Sequence, residues 1–231
     1  MVAGCAICSR GTIDLPESSR IRLLTGAQLL QEQRNGTLIL DARAAERFAS
    51  FHIRGAIQIG LNGPFASWAA ILIKPTQKLA LIVESKGSAE EAHSRLARVG
   101  LEHVIGYSVA NETQWRKENV DLTNISTQRC TDVRHTLEID PSLQLVDIRS
   151  HAEWLKGHLP GAVSVPLLHF ESRAQLIDPS RASLVYCDEG FRAMTAASIL
   201  LRESSGNIGI LIDGVEGWCA SGLPLEIPQG Q

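Results

Sequence analysis

Leu145-Val146-Asp147-Ile148-Arg149 opens the stretch that decides the fold, and His158-Leu159-Pro160-Gly161-Ala162-Val163 closes it. An apolar run delivers an Asp and an Arg, and a histidine follows eleven residues after Asp147. The same arrangement occurs earlier as Ile39-Leu40-Asp41-Ala42-Arg43 and His52-Ile53-Arg54-Gly55-Ala56-Ile57, again with eleven residues from Asp41 to His52. Further on, Gly106-Tyr107 and Trp115 parallel Gly214 and Trp218. The offset is 106 residues at the Asp and 103 at the Trp, so small indels separate two copies of about half the chain each. A period of that size is a duplicated domain, not a short solenoid repeat.

Each copy reads as strands alternating with helices. In the second, Gln144–Asp147 is a strand, Ser150–Lys156 a short helix with Ser150 as N-cap, and Ala162–Val165 a strand ended by Pro166. Leu184–Tyr186 is a strand apolar enough to be buried on both faces, Ala193–Leu201 a helix, and Gly209–Ile212 a strand before the turn Asp213-Gly214. Short apolar strands separated by helices imply an α/β fold: in each copy, a mainly parallel central sheet flanked by helices. The spacing predicts a tail over 1–20, a first domain over 21–118, a polar linker over 119–128 and a second domain over 129–231 that opens with a helix at Arg129–Glu138.

Ligands of such sheets bind at the carboxyl ends of strands, and Cys187 stands at one. It follows Ala182-Ser183-Leu184-Val185-Tyr186 and precedes Asp188-Glu189-Gly190-Phe191-Arg192-Ala193, a Gly-containing turn into the helix. Turn N–H groups, the helix N-terminus and the Arg192 charge all favour thiolate, the nucleophilic form. Gly190 is expected to supply positive φ or a close backbone approach. The alternative for a lone cysteine is an inert buried thiol, and the surrounding turn argues against it.

Composition narrows the class. A hydrophobic content of 44% with 20% charged residues is ordinary for a globular protein, and a net charge of -3 gives no basic surface for nucleic acid. No apolar run reaches membrane-spanning length. Five scattered cysteines make no disulfide framework, so a reducing cytoplasm is expected. Val2-Ala3-Gly4-Cys5 has no basic start or apolar stretch before it, so it is not expected to be a lipoprotein signal. Cys5 and Cys8 form a C-x-x-C pair, but Cys130, Cys187 and Cys219 offer no matching second pair, so no metal is expected.

Taken together, these motifs resemble the rhodanese family, arranged as a tandem pair. The resemblance rests on Asp147-Ile148-Arg149, Gly157-His158-Leu159-Pro160-Gly161-Ala162, Cys187-Asp188-Glu189-Gly190-Phe191-Arg192 and Asp213-Gly214-Val215-Glu216-Gly217-Trp218, with Asp213 where a Gly is common, and spans about residues 22 to 225. Asn62-Gly63-Pro64-Phe65-Ala66-Ser67-Trp68 makes the first copy similar to the rhodanese tail of metallo-β-lactamase-type persulfide dioxygenase fusions, of which this chain would be a stand-alone or excised form. The resemblance implies a sulfurtransferase. Cys187 would take the outer sulfur of thiosulfate or a persulfide and pass it to cyanide or a thiol, small or protein-borne, without a cofactor. Arg192, Asp188, Glu189, Gly190 and Phe191 would contact the substrate.

The copies are unequal. Counting back 103 residues puts Glu84 at the Cys187 position and Ala89 at that of Arg192, so the first copy is expected to be inactive and to pack against or shape the second copy's pocket. Asp188 and Glu189 repel anions and raise a thiol pKa, which favours a neutral, cationic or protein-borne donor over thiosulfate. His52 and His158, matched between an active and an inactive copy, read as structural, as do Asp41/Arg43 and Asp147/Arg149. Trp68, Trp115, Trp154 and Trp218 read as core residues. A Cys-dependent phosphatase would need five residues between Cys and Arg, where this loop has four. A non-catalytic tandem interaction module is the other alternative, and the intact Cys187 loop argues against it.

Overall fold

In the computed structural model, residues 21–203 and 206–228 are described; Cys5, Cys8 and the tail expected over 1–20 lie outside the described residues. The first half runs α1 (Gly26–Arg34), β1 (Leu38–Asp41), α2 (Ala45–Ser50), β2 (His52–Ile53), β3 (Ile57–Gln58), α3 (Phe65–Leu72), β4 (Leu79–Val83), α4 (Lys86–Ala97), β5 (Val104–Val109), α5 (Glu112–Lys117) and β6 (Leu122–Thr123). The second runs β7 (Ser126–Gln128), α6 (Cys130–Ile139), β8 (Gln144–Asp147), α7 (His151–Leu155), β9 (Val163–Ser164), α8 (Phe170–Arg173), β10 (Ser183–Tyr186), α9 (Phe191–Glu203), β11 (Ile208–Leu211) and α10 (Gly214–Ala220). Helix starts follow local chemistry. Thr25 with Gln28, and Ser150 with Glu153, close capping boxes, while Ser85 and Asn111 cap α4 and α5. None of the helices is long and apolar enough to cross a membrane among the described residues.

Two parallel sheets result, ordered β3-β1-β4-β5 and β7-β11-β10-β8-β9. Strands β1, β4, β8, β10 and β11 are buried along their whole length, which is why they lack polar alternation.

The polar segment 119–128 is not the linker its composition suggests. Leu122–Thr123 pairs antiparallel with His52–Ile53, and Ser126–Gln128 forms an edge of the second sheet. Both contacts recur in the other copy: His158 bridges Glu226, and Leu23 bridges Tyr107. Each unit therefore begins with an edge strand and ends with a segment returning to its histidine, and the boundary falls near Asn124–Ile125. Ser and Thr on a half-exposed edge satisfy the ladder through the backbone, so their composition reads as loop while their pairing is strand.

The halves share a core. One apolar cluster joins Phe48, Ile57 and Ile59 of the first unit to Met194, Ala197 and Leu200 of the second. Helix α9 lies over β3, the edge of the first sheet, and covers it. At that contact the Gln58 N–H donates to Ser198 Oγ at 2.9 Å, and the Ser198 hydroxyl donates onward to the Thr195 carbonyl at 2.7 Å.

Candidate active site

Cys187 directly follows β10, a central strand of the second sheet. The backbone N–H groups of Ala193, Glu189 and Arg192 lie near its sulfur and favour its thiolate form. Two glycines make that possible. Gly190 has φ +83, and a Cβ there would stand 2.5 Å from the Ile212 carbonyl oxygen, so the expected requirement for glycine holds. Gly214 has φ +51, and a Cβ would come within 2.2 Å of the Cys187 and Asp188 carbonyl oxygens. The Val215 N–H donates to the Cys187 carbonyl at 2.9 Å, tying the loop to the start of α10.

Cys187 is only 1% exposed. Burial pushes its thiol pKa up, and the Ala193 N–H, the Arg192 charge and the Glu189 and Arg192 N–H groups pull it partly back. The expectation of a thiol held as thiolate is thus corrected. The stabilising groups are where they were placed, but desolvation of the sulfur outweighs them in the free protein.

Arg192 does not stand free in the pocket. Its guanidinium donates to Glu153 at 2.6 and 3.1 Å and to Asp188 at 2.5 Å. Arg149, already bidentate on Asp147, reaches Asp188 at 3.5 Å. The two hydrogen bonds from Arg192 hold the Glu153 carboxyl well below its ordinary pKa and in turn raise the guanidinium's. Asp188 shifts the other way, first through burial and then through the neighbouring Glu153, so Asp188 keeps a proton longer. Glu153 was not singled out from the sequence, although Ser150 three residues before it signals the capping box that fixes its position.

The sulfur faces a cavity of about 460 Å³ between the units. Asp188, Glu189, Phe191, Arg192 and Glu216 line it from the second, and Asn62, Gly63, Pro64 and Trp68 from the first. Glu189 is exposed at its edge, and Gly190 turns away toward Ile212. The Asn62–Trp68 segment is held by Arg95, which donates to the Leu61 and Gly63 carbonyls at 2.6 and 2.7 Å, and the Phe191 ring packs beside Gly60 and Gly63. Trp68, read as core, is instead a half-buried cavity wall, because α3 begins beside the Cys187 loop; Trp154 is also half-buried, stacked on His158, while Trp115 and Trp218 are buried as expected.

Strand register corrects the comparison between copies. Asp41 is opposite Ile82, and Asp147 is opposite Tyr186, so the residue equivalent to Cys187 is Val83, and Glu84 corresponds to Asp188. The first loop is one residue shorter: helix α4 starts three residues after Val83, whereas α9 starts four after Cys187. Aligning the helix starts then pairs Arg192 with Gly87 rather than Ala89. No thiol or guanidinium stands in the first loop by either reckoning. The histidines are built in both copies as structural pieces. His52 stacks on Phe48 at 3.9 Å and contacts the Phe48 carbonyl; His158 stacks on Trp154 at 3.4 Å and contacts the Trp154 carbonyl. In the buried pairs Asp41–Arg43 and Asp147–Arg149 the guanidinium also donates to a carbonyl, of Phe51 and Gly157 respectively, and so staples the return of the chain.

Fold and site define a tandem α/β protein in which one of two similar units carries a cradled cysteine at a strand end. Rhodanese-like domains match this chain twice, at residues 25–110 and 131–221, and the chain belongs to that family. A sulfurtransferase of Allochromatium vinosum is 32% identical over 111 residues, 48% of this chain and 96% of the relative. The thiosulfate sulfurtransferase GlpE of Haemophilus influenzae is 29% identical over 82 residues, 36% of this chain and 78% of the relative. Among solved structures, a thiosulfate sulfurtransferase from Pseudomonas aeruginosa aligns with 91% of this chain and 44% of its own, at a TM-score of 0.39 and 19% identity.

Proposed function

We propose that the protein is a single-site sulfurtransferase that carries sulfane sulfur on Cys187. The observation that supports it most is a strand-end cysteine that lines an interdomain cavity, with backbone N–H groups of the following turn beside its sulfur. Cys187 sheds its proton and attacks the outer sulfur of the donor. A Cys187–S bond forms, the donor's S–S bond breaks, and its inner group leaves as sulfite from thiosulfate or as a thiolate from a persulfide. A thiol or cyanide acceptor then attacks the outer sulfur and Cys187 departs as thiolate, so electrons balance without a cofactor. The N–H cradle receives the negative charge on each sulfur as it develops, in the manner of an oxyanion hole. The three cavity carboxylates, Asp188, Glu189 and Glu216, favour a donor of low negative charge, small or protein-borne. A reducing cytoplasm suits a chemistry that needs its thiol free. Mass spectrometry after exposure to thiosulfate, glutathione persulfide and mercaptopyruvate in turn tests the reading. One added sulfur on Cys187 is expected with at least one donor, and none in Cys187→Ser; full turnover by that variant would refute the mechanism.

A further inference from the structure

Arg192 is the single cation lining the Cys187 cavity among the described residues. A free guanidinium beside a nucleophilic sulfur is an anion site, and an anionic donor would be drawn to it. Here its fork is already occupied, by both oxygens of Glu153 and by Asp188. The immediate cluster comprises two guanidinium groups, Arg149 and Arg192, and three carboxylates, Asp147, Glu153 and Asp188. Its net charge is negative with Asp188 ionised and zero with Asp188 protonated, so it offers a donor no net positive charge in either state.

We infer that Glu153 is the residue that sets donor class: by engaging Arg192 it withholds that cation from the substrate, and the site takes a donor of low negative charge with an organic body in preference to the thiosulfate dianion. This deepens the sulfurtransferase reading and rests on it. Glu153 bonds Arg192 and Ser150 rather than the reacting sulfur; it acts through Arg192 and is a positioning residue. The organic body has a seat, since Trp68, Pro64 and Phe191 supply apolar walls to the same cavity. Glu153 is fixed for this task independently of Arg192, because the Ser150 N–H and hydroxyl both bond it at the start of α7.

The test compares two donors with the same leaving chemistry and different charge: thiosulfate, which departs as sulfite, and benzenethiosulfonate, a monoanion that departs as benzenesulfinate. Wild type should load Cys187 and turn over with benzenethiosulfonate at a higher kcat/KM. Glu153→Gln keeps the capping box, where Gln serves as well as Glu, and loosens Arg192. It should raise thiosulfate kcat/KM about tenfold and benzenethiosulfonate only about threefold, since a Coulomb effect scales with substrate charge. The thiosulfate gain should disappear in Glu153→Gln/Arg192→Gln and should shrink with salt. Glu216→Gln removes an exposed carboxylate of the same cavity without touching Arg192, and should raise thiosulfate kcat/KM by less than Glu153→Gln does. Asp188→Asn loosens the same guanidinium from its other side and should move selectivity in the same direction, which keeps the test open should the Gln variant not fold. Equal changes with both donors would reduce Glu153 to a structural brace, and a gain that survives loss of Arg192 would reduce it to one more carboxylate; either overturns the inference while leaving the sulfurtransferase reading intact. Failure of every donor to load Cys187 in wild type would overturn both.

Discussion

At the scale of single residues, the loop's geometry hangs on Gly190. Its φ of +83 is unfavourable for any side chain, and an added methyl would sit 2.5 Å from the Ile212 backbone oxygen, which cannot swing aside. Gly190→Ala should therefore cost about 1–3 kcal/mol in urea unfolding and, by displacing the Glu189 and Arg192 N–H groups, should cut sulfur loading of Cys187 at least tenfold. Loading at the wild-type rate would show that the cradle tolerates a different turn. His52 carries a second residue-scale consequence. Burial lowers its pKa from 6.5 to about 4, so it stays neutral in the fold while the unfolded chain takes up a proton. The stability this confers is complete above pH 6.5 and is lost as pH falls toward 4. Between pH 7.5 and 5 the loss should be about 2 kcal/mol, and His52→Gln should flatten that part of the profile. The Asp–Arg pairs and the positive φ of Gly190 were legible in the sequence because each is written in a few consecutive residues. The Glu153 contact was not, because its partner lies 39 residues away and only the fold brings α7 to the Cys187 loop.

Among the elements, the start of α3 matters most to the chemistry. The Asn62–Trp68 segment closes one side of the cavity from the unit that has no cysteine, and Arg95 on α4 pins its backbone. Trp68→Ala should raise KM for benzenethiosulfonate about tenfold, the equivalent of roughly 1.4 kcal/mol of lost apolar contact, while thiosulfate kinetics change by less than twofold. Equal losses with both donors would mean that Trp68 supports the loop rather than the donor. Strand and helix positions followed from periodicity because buried parallel strands and capped helices are written in consecutive residues. Two features escaped that reading. The edge strands β6 and β7 are polar and very short, so nothing in their composition separates them from a loop. The spacing of the copies also drifts, from 104 residues at β4 and β10 to 103 at the tryptophans, and carrying the second value back along the chain is how Glu84 came to stand opposite Cys187 when register sets Val83 there.

On the scale of the whole molecule, the unit without a cysteine is held to the active one through α9, the helix whose first turn presents the Arg192 and Ala193 N–H groups to the sulfur. Strand β3 is the edge of the first sheet, and the Gln58 N–H on it has left the ladder. Ser198 on α9 supplies the acceptor at 2.9 Å and passes its own proton to the Thr195 carbonyl, while Gln58 Nε2 bonds the Arg43 carbonyl. Gln58, Thr195 and Ser198 are all buried, so water cannot replace a missing partner. Ser198→Ala strands the Gln58 N–H and should cost about 1–3 kcal/mol, seen as a lower urea midpoint with an unchanged slope. Ser198→Val adds a branched side chain to a packed contact as well, and should cost more. If the interface also holds the Cys187 cradle in place, both variants should load sulfur more slowly at temperatures where they remain fully folded. A stability loss with wild-type loading would show instead that β10 and the Gly190 and Gly214 turns hold the cradle without help from the first unit.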